Sequence, residues 1–384
     1  MTAAMGLVIP LVQVYPPGPH MRLRALPLVF LLGCAVSGPA EPVENEGTPD
    51  VGGLTAAHLV VHYPTGFGHR ISIRGNSAGL GWDLGHDAMW TSGDRWVLDL
   101  SPSKTIELKP LFDDAIWAHG PNWTLAPGQT LDVWPTFFHD RGRLEDRPDL
   151  DAAHDVVVYL PASYDENGAE RYPVVYMHDG QNLFDDAKAF GGISWDIAGA
   201  LDRGAADATI HDAIVVAIAN TAARITEYTP IADPSYGGGG ADTYLRLITD
   251  QIRPRINHDY RTLTDRAHTA IMGSSLGGLI SIYAGVTHTD VFGLMGALSP
   301  STWWDNTWII PRVTAEPTNP ARVYVDSGDS GDSQDGKADT ANLAAAYRNR
   351  GATLDYLVQA GAQHNEYCWR QRVPGALAFL LGPR

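Results

Sequence analysis

A serine framed by glycines, Gly273-Ser274-Ser275-Leu276-Gly277, is the stretch of this 384-residue chain best suited to covalent chemistry. It fits G-x-S-x-G with Ser275 central, after a short apolar run and before Gly278 and the helical run Leu279-Ile280-Ser281-Ile282-Tyr283. A serine on a tight strand-to-helix turn needs small neighbours, because the sharp backbone brings atoms close, and its hydroxyl then projects above a sheet. The helix start favours developing negative charge, and the Leu276 N–H is placed to donate to an oxyanion. A serine hydroxyl is a weak nucleophile without a base, and in this arrangement the base is a histidine following the last strand. His364 meets that condition, within Gly361-Ala362-Gln363-His364-Asn365-Glu366, whereas His178, His268 and His288 precede the last strand and are read as structural or surface residues. The acid that orients the imidazole should follow the run Val323-Tyr324-Val325, where the aspartate-rich loop from Asp326 to Gly336 offers Asp329, Asp332 and Asp335. No register of that loop gives the calcium pattern D-x-[DN]-x-[DN]-G with its bidentate Glu, so neither metal nor cofactor is expected.

Chemistry of this kind requires a sheet whose strand ends carry the loops. Buried-strand runs occur at Val156–Leu160, Val174–Met177, Ile214–Ile218, Ala270–Met272, Leu294–Leu298, Val323–Val325 and Leu354–Val358. Helical patterns fall between or after them, as a mainly parallel α/β sheet demands, and residues 155–384 are assigned to this domain. From 54 to 138 the pattern changes to short alternating runs such as His58-Leu59-Val60-Val61-His62-Tyr63, separated by Gly, Asn, Asp and Pro, which predicts a small all-β sandwich. Between them, 139–154 is rich in Asp, Arg and Glu without apolar periodicity and reads as a solvated linker.

Composition narrows the function further. With 27 basic and 44 acidic residues the net charge is −17, which repels phosphate backbones, so nucleic acid is not an expected partner. Two cysteines, Cys34 and Cys368, permit at most one disulfide and no zinc site; Cys368 is expected to be a buried small hydrophobe. From Met21, the alternative start, the chain reads as a secretory signal, with Arg22 and Arg24 before an apolar run too short to span a bilayer. Leu31-Leu32-Gly33-Cys34 resembles a bacterial lipobox, so residues 1–34 are expected to be a leader with Cys34 lipidated, and 35–53 a tether. The expected location is outside the cytoplasm, held to a membrane by the lipid alone.

Several ordered motifs resemble the putative esterase family of α/β-hydrolases, which includes esterase D, feruloyl and acetyl xylan esterases, enterochelin esterases and mycolyltransferases. They are the run from Tyr172 through His178-Asp179-Gly180-Gln181-Asn182 to Asp185, Ala219-Asn220 with Arg224, Glu227, Tyr228 and Pro230, the Ser275 elbow, Leu298-Ser299-Pro300-Ser301-Thr302-Trp303-Trp304, and the ending His364 through Pro374. The resemblance implies an α/β-hydrolase fold, favours Asp335 as the acid because it sits shortly before a helix, and makes the Gln181 N–H the second oxyanion donor. It also implies Trp303 and Trp304 as candidate pocket walls or else as aromatics wedged under a loop, with Arg224 and Glu227 a structural ion pair. Residues 54–138 resemble starch-binding-type carbohydrate modules, in which Trp82, Trp90, Trp117 and Trp123 are candidates to stack on sugars or else to pack the core. The expected activity is therefore a serine carboxylic ester hydrolase working through an acyl-enzyme on esterified carbohydrate. Siderophore ester hydrolysis, acyl transfer and a non-catalytic glycan-binding protein are the alternatives.

Overall fold

Uninterrupted runs of branched aliphatic residues form strands that are dry on both faces. The structure, a computed structural model, describes residues 55–383; the expected leader with Cys34 and the expected tether lie outside the described residues. Eight strands, β1 (Arg143–Asp146), β2 (Val156–Leu160), β3 (Val174–His178), β4 (Ile214–Ile218), β5 (Thr269–Ser274), β6 (Leu294–Leu298), β7 (Arg322–Gly328) and β8 (Leu354–Gln359), make one sheet in the order β1-β2-β4-β3-β5-β6-β7-β8. β1 and β2 run antiparallel to their neighbours and the rest are parallel. Side chains alternate between faces: Val174 and Tyr176 join one hydrophobic core, Val175 and Met177 the other, each covered by helices. This is the expected α/β-hydrolase architecture.

The stretch 139–154 is not a solvated linker. Residues 143–146 form β1 and pair with Leu160, Tyr159, Val158 and Val157 of β2. An edge strand needs little apolar content when its charges are satisfied: Arg143 pairs with Asp165 at 2.7 Å and Arg147 with Asp149 at 2.9 Å. The charge density that suggested a linker is the coating of a sheet edge, and the hydrolase sheet begins before residue 155.

Upstream lies the predicted sandwich. One sheet contains Ala57–His62, Met89–Trp90, Arg95–Leu100 and Thr130–Val133, and the other is built on Ile71–Gly75 and Ile106–Phe112. Leu59 and Val61 from the first share a core with Ile71, Ile73, Ile106 and Leu108 from the second. Trp123 packs against that core, whereas Trp82, Trp90 and Trp117 are exposed, with the Trp82 and Trp117 rings 6.2 Å apart.

One carboxylate ties the sandwich to the hydrolase sheet. Glu166, buried at the end of the short helix after β2, accepts from the N–H groups of Phe137, Phe138 and His139 and from the Tyr63 hydroxyl. Asn167 adds a bond from its Nδ2 to the Pro135 carbonyl at 2.9 Å. Because β2 is antiparallel, its last residue lies at the edge where the parallel strands begin. The sandwich is thus fixed at the opposite edge of the sheet from the strand ends that carry Ser275.

Candidate active site

Ser275 sits between β5 and the buried helix Leu276–Thr287 at φ 55° and ψ −120°, a backbone region that costs on the order of 1–3 kcal/mol for a side-chain-bearing residue. Two backbone bonds hold this elbow: the Ser275 N–H donates to the Leu298 carbonyl at 3.0 Å, and the Ser301 N–H donates to the Ser275 carbonyl at 2.9 Å. The flanking glycines are explained by space. A Cβ on Gly273 would lie 2.8 Å from backbone atoms of Gly277, and one on Gly277 would meet His178 Cβ at 3.2 Å and Asp179 Oδ2 at 3.3 Å.

The structure brings Ser275, His364 and Asp335 into one hydrogen-bonded chain. Ser275 Oγ is 2.9 Å from His364 Nε2, and His364 Nδ1 is 2.6 Å from Asp335 Oδ1. With a proton on Nδ1 facing the carboxylate, Nε2 is left to accept from the serine. His364 ends the turn before the terminal helix Glu366–Leu381, whose start is locked by Asn365 accepting from the Cys368 N–H at 3.0 Å. Its ring also meets Trp369 edge-on at 5.0 Å.

Of the three candidate acids, Asp335 is buried and turned inward, while Asp329 receives the Gly361 N–H and lies 3.7 Å from Lys337. Ser333, Gln334 and Asp335 all have positive φ, and this left-handed run aims the third aspartate at the histidine. Burial alone would raise the Asp335 pKa, but hydrogen bonds from His364, Ser299 Oγ and the Gly328 N–H outweigh it and hold the carboxyl below its ordinary range. Behind it, the buried Arg372 donates to Ser299 Oγ at 2.6 Å, pairs with Asp326 at 3.0 Å and lies 3.8 Å from Asp335. Burial pushes Asp326 up to about 6 even beside that guanidinium.

The open space in front of Ser275 is a cleft of about 420 Å³. Gln181, Asn182, Asn220, Arg224, Glu366 and Trp369 are among its walls. Leu276, as the first residue of its helix, offers an N–H with no intrahelical acceptor, and Gln181 sits in the loop after β3 with its side chain accepting from the Asn220 N–H at 3.1 Å. Trp304 is a core residue rather than a pocket wall: it is buried, and its Nε1 donates to the Ile231 carbonyl at 2.8 Å. Trp303 is 44% exposed and packs on Tyr236, outside the residues lining the cleft.

Arg224 does not pair with Glu227. It makes a two-pronged bond to Asp179 at 2.7 and 2.8 Å, while Glu227 accepts from Thr221 and approaches His154. Neither this pair's place in the cleft nor Glu366 beside it was legible from sequence, because the contact joins residues 45 apart through two loops. Ser301, whose Oγ is 3.3 Å from Ser275 Oγ, was visible only as part of a motif. His178 is structural as expected: burial pushes it down to about 3, and Nδ1 is 3.0 Å from the Tyr244 hydroxyl. Cys368 is buried, as expected.

Comparison with known proteins places this geometry in context. Residues 148–380 match the family model described as "Putative esterase". An uncharacterized protein, YbbA, of Bacillus subtilis is 26% identical over 244 residues, covering 59% of this chain and 91% of its own. An endo-1,4-beta-xylanase/feruloyl esterase of Xylanibacter ruminicola is 26% identical over 225 residues, 56% of this chain and 27% of that protein. The enterobactin esterase FES of Shigella flexneri, solved in the presence of enterobactin, is similar in fold, with a TM-score of 0.50 at 16% identity over 81% of this chain and 87% of the other.

Proposed function

The chain belongs to the putative esterase family and is an ester-hydrolysing enzyme, and from that premise we propose that Ser275, His364 and Asp335 carry the reaction on esters borne by carbohydrate. The observation that carries the catalytic assignment is the unbroken chain Ser275–His364–Asp335, with Ser275 on its strained elbow. Ser275 Oγ attacks the ester carbonyl while His364 Nε2 takes its proton. The N–H groups of Leu276 and Gln181 receive the oxyanion, each donor typically contributing on the order of 10²–10³ in rate. The tetrahedral adduct collapses to an acyl-enzyme as His364 returns the proton to the leaving alcohol, and water, deprotonated by the same imidazole, releases the acid.

Charge favours a neutral substrate. Asp179 and Glu366 outnumber Arg224 in the cleft, and the chain carries −17 overall, so an anionic ferric chelate would enter against the field. Siderophore ester hydrolysis, suggested by the fold shared with the enterobactin esterase, is the second reading. The exposed Trp82 and Trp117 of the sandwich support glycan contact, and the lipobox-like Cys34 supports export and membrane anchorage.

The test is p-nitrophenyl acetate hydrolysis by residues 35–384 beside Ser275→Ala and His364→Ala, followed by acetylated and feruloylated saccharides and ferric and iron-free catecholate esters. Turnover lost in both folded variants, with saccharide esters preferred, supports the reading. Unchanged rates in the Ser275→Ala protein would refute it.

A further inference from the structure

A second and larger cavity, about 500 Å³, lies beside the catalytic cleft and holds neither Ser275, His364 nor Asp335. Its position follows from the topology. β2 runs antiparallel, so Asp155 and the strand's first residues, Val156 and Val157, share the sheet edge where β3, β4 and β5 end. Along that edge the order is Ser275 after β5, Gly180 and Gln181 after β3, Ala219 after β4, Asp155 before β2, and Asp146 at the end of β1. The catalytic cleft occupies the first part and the larger cavity the remainder. Gln181 lines both, and Asp179 with Asn220 on one side are chain neighbours of Gly180 with Ala219 on the other. The two form one groove across the strand ends, bridged by the oxyanion loop. Ligands of open α/β sheets bind at such carboxyl-end crevices, and both volumes lie in the range that holds small organic ligands.

The lining suits a neutral polyol with an apolar ring face. Phe184, half-buried, gives a flat apolar wall, while Asp146, Asp155 and Lys188 are exposed polar groups around it. Among the described residues the side chains of Asp146, Asp155 and Lys188 make no ion pair or hydrogen bond, so hydroxyl groups can be met without breaking an internal contact. A long acyl chain would find charged groups on several sides and is disfavoured here.

We propose that this cavity is a subsite for the saccharide portion of the substrate, so that a glycan ester lies across the oxyanion loop with its ester at Ser275. The proposal rests on the carbohydrate-ester reading above and locates the specificity in residues remote from the triad.

The experiment measures kcat/KM for p-nitrophenyl acetate and for singly acetylated xylose oligomers of one to four units, in wild type, Leu144→Trp, which places bulk at the cavity wall, and the double variant Asp155→Ala/Lys188→Ala. In wild type the value should rise at least tenfold from one to three units, mainly through KM. In both variants that rise should shrink below threefold, and a general folding defect would lower every substrate alike and leave the rise intact. A flat length series in a wild type that hydrolyses p-nitrophenyl acetate overturns the subsite, as does a rise surviving both variants. So does a gain that instead follows acyl length in p-nitrophenyl esters and is lost in the variants. Absence of turnover on every ester would count against the esterase chemistry; binding of the unesterified xylotriose by calorimetry then decides the subsite independently, with Kd weakened at least fivefold in the variants if it stands and unchanged if it falls.

Discussion

Asp335 reaches His364 through a carboxyl that is held ionised by three hydrogen bonds, with the buried Arg372 behind it. Removing its charge while keeping its shape should leave the imidazole in the wrong tautomer, so Asp335→Asn is expected to lower kcat for p-nitrophenyl acetate by on the order of 10⁴. Asp329→Asn should stay near wild type, since Asp329 contacts Gly361 and Lys337 instead. Asp335 also shapes the acid side of stability. Its folded pKa lies below the ordinary 3.8, so between the two values the unfolded chain binds more protons and stability rises with pH. The contribution is complete above 3.8 and is lost as pH falls through the lower folded value. In acid-unfolding curves the wild type's advantage over Asp335→Asn should therefore narrow below pH 3.8; a constant gap would contradict the ionised, hydrogen-bonded carboxylate.

The elbow between β5 and its helix is the element on which the proposed chemistry depends. A methyl group on Gly273 would press on the Gly277 backbone at 2.8 Å, where nothing flexible can yield. Gly273→Ala should open the turn, displace Ser275 from His364 and reduce kcat at least 100-fold, with a loss of thermal stability of roughly 1–3 kcal/mol. Activity assay and thermal melt together check this. Elements with strong internal pattern were legible in the sequence: the apolar runs of β2 to β8, the elbow, and the histidine after β8. The position of Asp335 came from the resemblance, because choosing among three aspartates takes the left-handed run at 333–335, which no side-chain pattern announces. β1 was misread because an edge strand stabilised by Arg143–Asp165 and Arg147–Asp149 pairs carries the composition of a linker. For Trp304 the motif left pocket wall and packed aromatic equally open, because a tryptophan's bulk serves a core as well as a cleft, and its burial with the Ile231 contact separates the two uses.

At the scale of the whole molecule, the sandwich and the hydrolase sheet meet around Glu166. Its five bonds, from the N–H groups of Phe137, Phe138 and His139, the His139 ring and the Tyr63 hydroxyl, are made by a buried carboxylate, and such bonds are worth roughly 1.5–3 kcal/mol each when charge-assisted. Glu166→Leu leaves those donors unmet and should expose the segment 135–142 to limited proteolysis and lower the melting temperature. Hydrolysis of p-nitrophenyl acetate at 25 °C should persist, because Ser275 lies at the far edge of the sheet. Loss of that activity in protein that still gives a native far-UV spectrum would show the two ends to be coupled. On the proposed glycan reading, that separation would act as a ruler: strands of five to seven residues span roughly 17–23 Å, and a sugar chain touching both the sandwich and Ser275 would have to run about the length of the sheet. A shorter fragment would engage one end at a time, whereas for a longer chain the second engagement would be governed by the effective concentration its own length sets, so the spacing of the two ends would itself favour polymer over fragment.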